Sequence, residues 1–189
     1  MRTTGAVLLS REYRTILEPP ASLEDTSRYG NNGVFTDAPT WLQLPSGLWV
    51  LSFNGTSNHV TIATAPSLTF VGTILCWIYA IAANAYIFDN RAGGSVGYFA
   101  ISAAPALLSS SGTLYIDGIA ATAVTLGRWY FAGVTGITFT NLGALTYGRR
   151  TLAASWWNGY LAEPKIYNHN LTADQIYSVY QNERSLFGA

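Results

Sequence analysis

The sequence predicts an all-β protein, an antiparallel sandwich closed by one short C-terminal helix. Short runs rich in Val, Ile, Tyr, Phe and Trp recur along the 189 residues with Gly, Asn, Pro and Ser between them, a pattern typical of sandwich strands rather than of βαβ units. Several runs are apolar almost throughout, as in strands that are covered on both faces. Only residues 173–183 combine helical periodicity with a cap.

The first 20 residues are predicted to be an N-terminal arm or edge strand, ahead of a single domain over residues 21–189. Pro19 and Pro20 mark the junction, because two consecutive prolines forbid a helix and remove donors from a sheet ladder. The arm is apolar enough to add a strand to the same sheet or to the sheet of a neighbouring subunit. Both alternatives are open at this point.

Nine runs are candidate strands, and the clearest central one surrounds Cys76. A thiol in so apolar a run is expected to behave as a small buried hydrophobe. The nine are Trp49–Phe53, His59–Ile62, Thr73–Ile81, Tyr86–Asp89, Tyr98–Ser102, Thr113–Asp117, Trp129–Thr135, Ile137–Thr140 and Tyr160–Tyr167.

The C-terminal helix is predicted over Ala173–Glu183. Thr172 is a good N-cap, and Gln175 three residues later completes a capping box, in which each side chain bonds a backbone N–H that the helix start leaves unpaired. Ile176, Val179 and Tyr180 recur at i, i+3 and i+4. This spacing predicts one apolar stripe that packs on the sheet.

Four stretches, taken in order, resemble the laminin G-like domains of the concanavalin A-like lectin/glucanase superfamily. The last stretch combines a Gly-x-Leu strand with Ile-Tyr-Asn and a Leu-Thr helix start. The resemblance implies a jelly-roll topology for the sandwich. In that family the tryptophan strand usually precedes the Tyr-x-Asp-Gly hairpin, whereas here the hairpin comes first, so the strand order between about 85 and 150 is open. The stretches are 25–33, 51–60, 73–78 and 159–172.

The charge composition argues against nucleic acid as a partner and favours other protein chains. Ten basic and ten acidic residues leave a net charge of zero, and charged residues form only 11% of the chain. A phosphate-binding surface needs clustered basic residues, but only Arg149 and Arg150 are adjacent, so nucleic acid is not expected. So few charges offer little colloidal repulsion, which favours permanent contacts with other protein chains, in an oligomer or a particle.

Neither a signal peptide nor a membrane span is expected. No run reaches the roughly 20 uninterrupted apolar residues of a span. The apolar run Ala6–Leu9 is shorter than a signal-peptide core. The localisation is therefore open, with a virion or another extracellular particle as the hypothesis.

An aromatic cluster near the C-terminus is the candidate ligand site. Trp156, Trp157, Asn158 and Tyr160 could form a sugar platform, because the C–H faces of a pyranose stack on flat rings while an amide bonds hydroxyls. Successive residues of a strand point to opposite faces, so at most one of the two tryptophans is expected in the core. Core packing and a protein interface are the alternatives to a glycan site.

Oxygen-bearing residues supply a possible structural calcium site, and no other cofactor is expected. Calcium takes carboxylate and amide oxygens, which Asp25, Asn31, Asn32 and Glu163 could provide. In the family that this chain resembles, an Asp usually occupies the position of Ala162, so one expected ligand is missing. The alternative is that Asp25 and the two asparagines only cap a Gly-rich turn.

The leading hypothesis is a non-catalytic structural module that self-associates, such as a capsid decoration or fibre protein on a viral or other particle. The alternative is a glycan-binding, lectin-like domain, and a polysaccharide-degrading enzyme ranks third. No catalytic residue is assigned, because the Glu-x-Asp-x-x-Glu pattern of the superfamily's retaining glucanases is absent. A glycosidase needs two carboxyls held about 5 to 9.5 Å apart, and the acidic residues are scattered.

Overall fold

The computed structural model describes residues 6–8, 23–25, 30–63, 70–91, 96–139, 144–151 and 155–189. They form two antiparallel sheets, one α-helix and a terminal 3₁₀ helix at Arg184–Leu186. The elements are β1 (Ala6–Leu8), β2 (Gly33–Thr36), β3 (Thr40–Gln43), β4 (Trp49–Asn54), β5 (His59–Ala63), β6 (Phe70–Ala80), β7 (Ala85–Asp89), β8 (Tyr98–Ile101), β9 (Leu107–Ser109), β10 (Thr113–Ile116), β11 (Ile119–Ala120), β12 (Trp129–Phe139), β13 (Ala144–Tyr147), β14 (Asn158–Tyr167) and α1 (Ala173–Glu183).

The two sheets stack as a sandwich, which confirms the predicted fold class. Sheet A has eight strands in the order β11-β10-β12-β6-β14-β4-β3, with β1 pairing β14 as well. Sheet B has six, in the order β2-β5-β13-β7-β8-β9. Strand β1 therefore adds to a sheet of its own chain, with Val7 opposite Ile166. The rest of the predicted arm, residues 1–5 and 9–20, lies outside the described residues.

Two cores hold the layers together. The inter-sheet core lies between sheets A and B, and its largest fully buried side chains include Trp157, Tyr147, Phe88 and Phe99. The helix-covered core lies on the outer face of sheet A, beneath α1 and the 3₁₀ helix. Its members are Val50, Leu75, Trp77, Tyr115, Phe131, Ala162, Leu171, Ile176 and Phe187. The central part of sheet A is thus covered on both faces, which explains why its central strands are apolar almost throughout.

The predicted helix is confirmed at both ends, Ala173 and Glu183. The Gln175 backbone N–H donates to Thr172 Oγ1 at 3.3 Å, and the Thr172 N–H donates to Gln175 Oε1 at 2.9 Å. Ile176 is fully buried against sheet A. Within the described residues, no helix is long and apolar enough to cross a membrane.

The structure joins two strands that the sequence analysis had separated. The predicted strands Trp129–Thr135 and Ile137–Thr140 meet in the single strand Trp129–Phe139, with a register shift between Thr135 and Ile137 against β6, and Thr140 lies outside the described residues. Gly136 has a φ of 79° there. A β-bulge with glycine in this conformation adds one unpaired residue without ending the strand, so a glycine that reads as a turn in sequence is a bulge in the sheet.

Five described strands were missed by the sequence analysis: β2, β3, β9, β11 and β13. Each has only two to four residues, and β2, β3, β9 and β11 lie at the edges of their sheets. Short edge strands are stabilised by pairing with a longer neighbour rather than by their own propensity. The open strand order is also settled, because β10 lies between β11 and β12, and the Asp117-Gly118 turn joins β10 to β11.

Candidate functional site: an aromatic row on the outer face of sheet A

The four predicted sugar-binding residues do not share one surface. Trp157 is fully buried in the inter-sheet core, so it has no face for a ligand, and we correct its assignment on that ground. Trp156 is half-buried against His59, with ring centroids 5.4 Å apart. Asn158 packs against the turn at Gly55. Only Tyr160 joins other aromatic side chains on the outer face of sheet A.

Tyr160 belongs to a row of side chains that crosses five strands, here called the aromatic row. Strand pairing places Trp129 of β12 opposite Tyr79 of β6, and Tyr79 opposite Tyr160 of β14. Tyr160 is in turn opposite Ser52 of β4, and Ser52 is opposite Thr40 of β3. Because residues in register project to the same face, three aromatic rings and two hydroxyls lie side by side.

The three rings form a compact group. The ring centroid of Tyr79 is 5.6 Å from that of Trp129 and 5.3 Å from that of Tyr160. The rings of Trp129 and Tyr160 are 6.2 Å apart and tilted by only 31° relative to each other. All three side chains are half-buried, so each retains an accessible part.

The aromatic row is partly exposed because α1, the 3₁₀ helix and the residues after it cover the neighbouring row of side chains instead. One row further into the sheet, Trp77 stacks on Phe187 with centroids 4.1 Å apart and an interplanar angle of 12°. Phe187 also contacts Trp129, at 4.9 Å. The C-terminal residues therefore cover the Trp77 row and support the edge of the aromatic row without covering it.

The four predicted calcium ligands are divided between the two sheets. Near sheet B, the Asn31 N–H donates to Asp25 Oδ2 at 2.8 Å, and the Asp25 N–H donates to Asn32 Oδ1 at 2.9 Å. These are the bonds that the turn-capping alternative requires. Glu163 lies apart from them, in β14 of sheet A. Among the described residues, no group of three His, Cys, Asp or Glu side chains is placed to hold a metal.

Glu163 instead belongs to a buried charged cluster beneath the C-terminal helix. Lys165 Nζ lies 2.7 Å from Glu183 Oε1 and 3.5 Å from Glu163 Oε2. The second Glu183 oxygen accepts a hydrogen bond from Trp77 Nε1 at 2.9 Å. Burial raises the pKa of Glu163 to about 7, against the lowering effect of Lys165, and the nearby Glu183 raises it further. One lysine faces two carboxyls, so a proton on Glu163 leaves a neutral Lys165–Glu183 pair.

Sequence reasoning missed Trp129 and Tyr79 as site residues. Both were placed in predicted strands, but their meeting depends on the register of β12, β6 and β14, which no local pattern encodes. The only sequence signal was alternation. In β6, Tyr79 follows Trp77 by two residues and so shares its face, yet two aromatics on one face are equally consistent with a core.

Comparisons with known proteins support the fold. No family model matches the chain, and no curated protein matches it. Among solved structures, it is similar to domain 4 of AbnA, a GH43 extracellular arabinanase from Geobacillus stearothermophilus, solved in complex with arabinotriose. The TM-score is 0.58 at 14% identity, over 85% of this chain and 93% of that one.

The chain is also similar to the binding domain of botulinum neurotoxin DC. The complex with rat synaptotagmin II gives a TM-score of 0.56 at 12% identity, over 85% of this chain and 49% of that one. The complex with SialylT gives 0.54 at 10% identity, over 85% and 48%. This chain thus spans about half of the neurotoxin chains. At such identities, the likeness establishes a shared β-sandwich and nothing further.

Proposed function

We propose that this protein is a non-catalytic, glycan-binding β-sandwich domain, whose ligand lies along the aromatic row. The single observation that carries the proposal is the register of Trp129, Tyr79 and Tyr160, which places three half-buried rings on neighbouring strands of one exposed face. Sugars have apolar C–H faces that stack on such rings. Adjacent strands lie about 4.8 Å apart, so five strands give a track on the order of 19 Å, which suits a short oligosaccharide.

The chemistry of the row favours a neutral sugar. It contains no ionisable carboxylate, guanidinium or ammonium group among Trp129, Tyr79, Tyr160, Ser52 and Thr40. The hydroxyls of Ser52, Thr40 and the tyrosines can donate to and accept from sugar hydroxyls. Binding should therefore be nearly independent of salt, because screening acts on charges.

The structural neighbours favour this alternative over the particle role predicted from composition. One neighbour is a domain solved with arabinotriose, and the match covers 93% of that domain and 85% of this chain. Self-association stays a prediction without a comparable arrangement of residues behind it. The most exposed large apolar side chains that the structure describes are Val34 in β2, Ile119 in β11 and Ile81 directly after β6. The laminin G-like assignment likewise remains a resemblance.

The test is titration of the full chain with arabinotriose and with a panel of other neutral oligosaccharides, followed by calorimetry or NMR. We expect at least one neutral oligosaccharide to bind, and Tyr160→Ala to weaken it at least tenfold with little change in melting temperature. Tyr177→Ala is the matched control, because Tyr177 is an exposed tyrosine on α1, away from the row. Unchanged affinity in Tyr160→Ala, or self-association without sugar binding, would remove the proposal.

A further inference from the structure

Arg149, Arg150 and Thr151, which follow β13, lie on the outer face of sheet B and are held there by hydrogen bonds. Thr146 Oγ1 donates to the carbonyl of Arg149 at 2.9 Å, and the Thr151 N–H donates to Asp89 Oδ2 at 2.9 Å. The Arg150 N–H bonds the carbonyl of Ser155 at 2.9 Å. These bonds present two consecutive arginines, Arg149 and Arg150, on the side of the sandwich opposite to the aromatic row.

The Arg149 guanidinium is fixed in place. Its Nε donates to the Arg150 carbonyl at 3.1 Å and its Nη2 to the Thr151 carbonyl at 3.1 Å. Its Nη1 lies 3.2 Å from His59 Nε2, and its Cζ lies 4.9 Å from the ring centroid of Trp156. A guanidinium has five N–H donors, so two remain for a ligand.

The contact with His59 requires a neutral imidazole. His59 Nδ1 lies 3.1 Å from the Ser57 carbonyl, which can only accept, so Nδ1 carries the proton and Nε2 accepts from Arg149. Burial lowers the pKa of His59, and Arg149 lowers it further, while the Ser57 carbonyl and the exposed Asp37 act in the opposite direction. His59 thus orients Arg149 without neutralising it.

Arg150 lies beside a second aromatic group. Its Cζ is 5.7 Å from the ring centroid of Tyr86. The Cζ of Arg91 is 4.9 Å from the same centroid and 4.4 Å from the ring centroid of Tyr98. Arg91 is neutralised by Asp89 through bonds of 2.8 and 2.9 Å. Within the described part of the chain, neither Arg149 nor Arg150 has such an ion pair.

Two half-buried guanidinium groups without a carboxylate partner among the described residues are unusual, because partial burial disfavours an uncompensated charge. Arg128 shows the ordinary arrangement in this protein. It also contacts an aromatic ring, that of Tyr130 at 4.4 Å, but its side chain is 59% exposed and it has Asp117 at 4.0 Å. The difference indicates that an anion from outside completes the Arg149 and Arg150 site.

We infer that Arg149 and Arg150 form a second binding site, which takes the carboxylate of an acidic sugar. The planar guanidinium fork matches a carboxylate, and the half-buried rings of Trp156 and Tyr86, which Arg149 and Arg150 contact, offer apolar surface to the sugar ring. A free inorganic anion would use the arginines but not the rings. The site is independent of the aromatic row, since it lies on the other sheet.

The test compares trigalacturonate with its carboxyl-reduced, neutral form, using the full chain. We expect the acidic form to bind at least tenfold more tightly and to lose affinity with added salt. Arg150→Gln is the decisive variant, because within the described residues the Arg150 guanidinium contacts only the Tyr86 ring, so its loss should disturb the fold little. It should weaken binding at least fivefold, and Arg149→Gln should do the same. Arg128→Gln is the matched control and should leave the affinity unchanged.

Three results would overturn the inference: equal or absent binding of the two forms, unchanged affinity in Arg150→Gln, or inorganic phosphate that binds as tightly as trigalacturonate. Tyr160→Ala separates this site from the aromatic row. If it abolishes neutral-sugar binding and leaves trigalacturonate binding intact, both sites exist. If no neutral sugar binds while the arginine variants still weaken trigalacturonate binding, only the proposed function fails.

Discussion

The inter-sheet core and the helix-covered core each bury one tryptophan completely, but they treat its indole N–H differently. Trp157, between the sheets, has no hydrogen-bond partner for Nε1 in the part of the chain that the structure describes. Trp77, beneath the helix, donates its Nε1 proton to Glu183. The first core is held by apolar area, whereas the second also depends on Glu163, Lys165 and Glu183. Docking of the C-terminal helix should therefore respond to charge and pH through these three side chains, whereas the inter-sheet core itself should not.

The largest effect is expected for Lys165→Met. This change leaves two buried carboxyls without their cation, and breaking a buried ion pair costs about 3 to 5 kcal/mol. Urea unfolding at pH 8 and pH 5 measures it, and part of the loss should vanish at pH 5, where Glu163, whose pKa is raised to about 7, is protonated. Phe99→Ala, in the inter-sheet core, is the comparison, with a cost of similar size at both pH values. Equal losses for Lys165→Met at both pH values would contradict the difference between the cores.

Ile176→Ala should destabilise the protein by about 2 to 4 kcal/mol, because it opens a cavity where α1 meets sheet A. Chemical unfolding provides the measurement. Val179→Ala, at a half-buried position on the same helix, should cost less. If the Ile176→Ala curve coincided with that of the parent, the helix would not be docked in solution.

The pH dependence of Glu163 has a definite sign. Its pKa rises from 4.5 to about 7 on folding, so between these values the folded state binds a proton that the unfolded state has lost, and stability falls as pH rises through 7. Between pH 6 and 8 this amounts to about 1 kcal/mol.

The difference in unfolding free energy between Glu163→Gln and the parent isolates this effect. This difference should change by about 1 kcal/mol between pH 6 and pH 8, so that the variant gains stability relative to the parent as pH rises. His59 has the opposite effect on the pH dependence of stability. Its pKa is lowered in the folded state, so stability is lost as pH falls below about 6.5. A difference between variant and parent that stays constant with pH would mean that Glu163 does not titrate in this range.

Thr172→Ala should cost about 1 kcal/mol through loss of the N-cap bond. The conservative variant Thr172→Ser keeps the hydroxyl and should stay close to the parent in thermal melting. A loss of equal size in both variants would assign the effect to the methyl group rather than to the cap.

Calcium should have the smallest effect. Glu163 is engaged by Lys165, and Asp25 and Asn32 by backbone N–H groups, so EDTA should shift the melting temperature little. A drop of 10 °C or more, restored by Ca²⁺, would show that other oxygens complete a metal site.

The sequence by itself determined the features whose signal is local. The capping box of Thr172 and Gln175 spans three residues, so the start of α1 was predictable without any knowledge of the sheets. The long strands β6 and β14 were recognisable because their β-propensity extends over ten or eleven residues.

Only the tertiary structure decided which side chains meet. Trp129, Tyr79 and Tyr160 come from three strands far apart in sequence, and a slip of one residue in any pairing would turn one of them to the opposite face. The bulge between Ala162 and Lys165 likewise determines where Glu163 and Lys165 lie relative to Glu183. Register and bulges result from the packing of the whole sandwich, which balances many distant contacts at once, and so no local pattern in the sequence could have revealed either proposed binding surface.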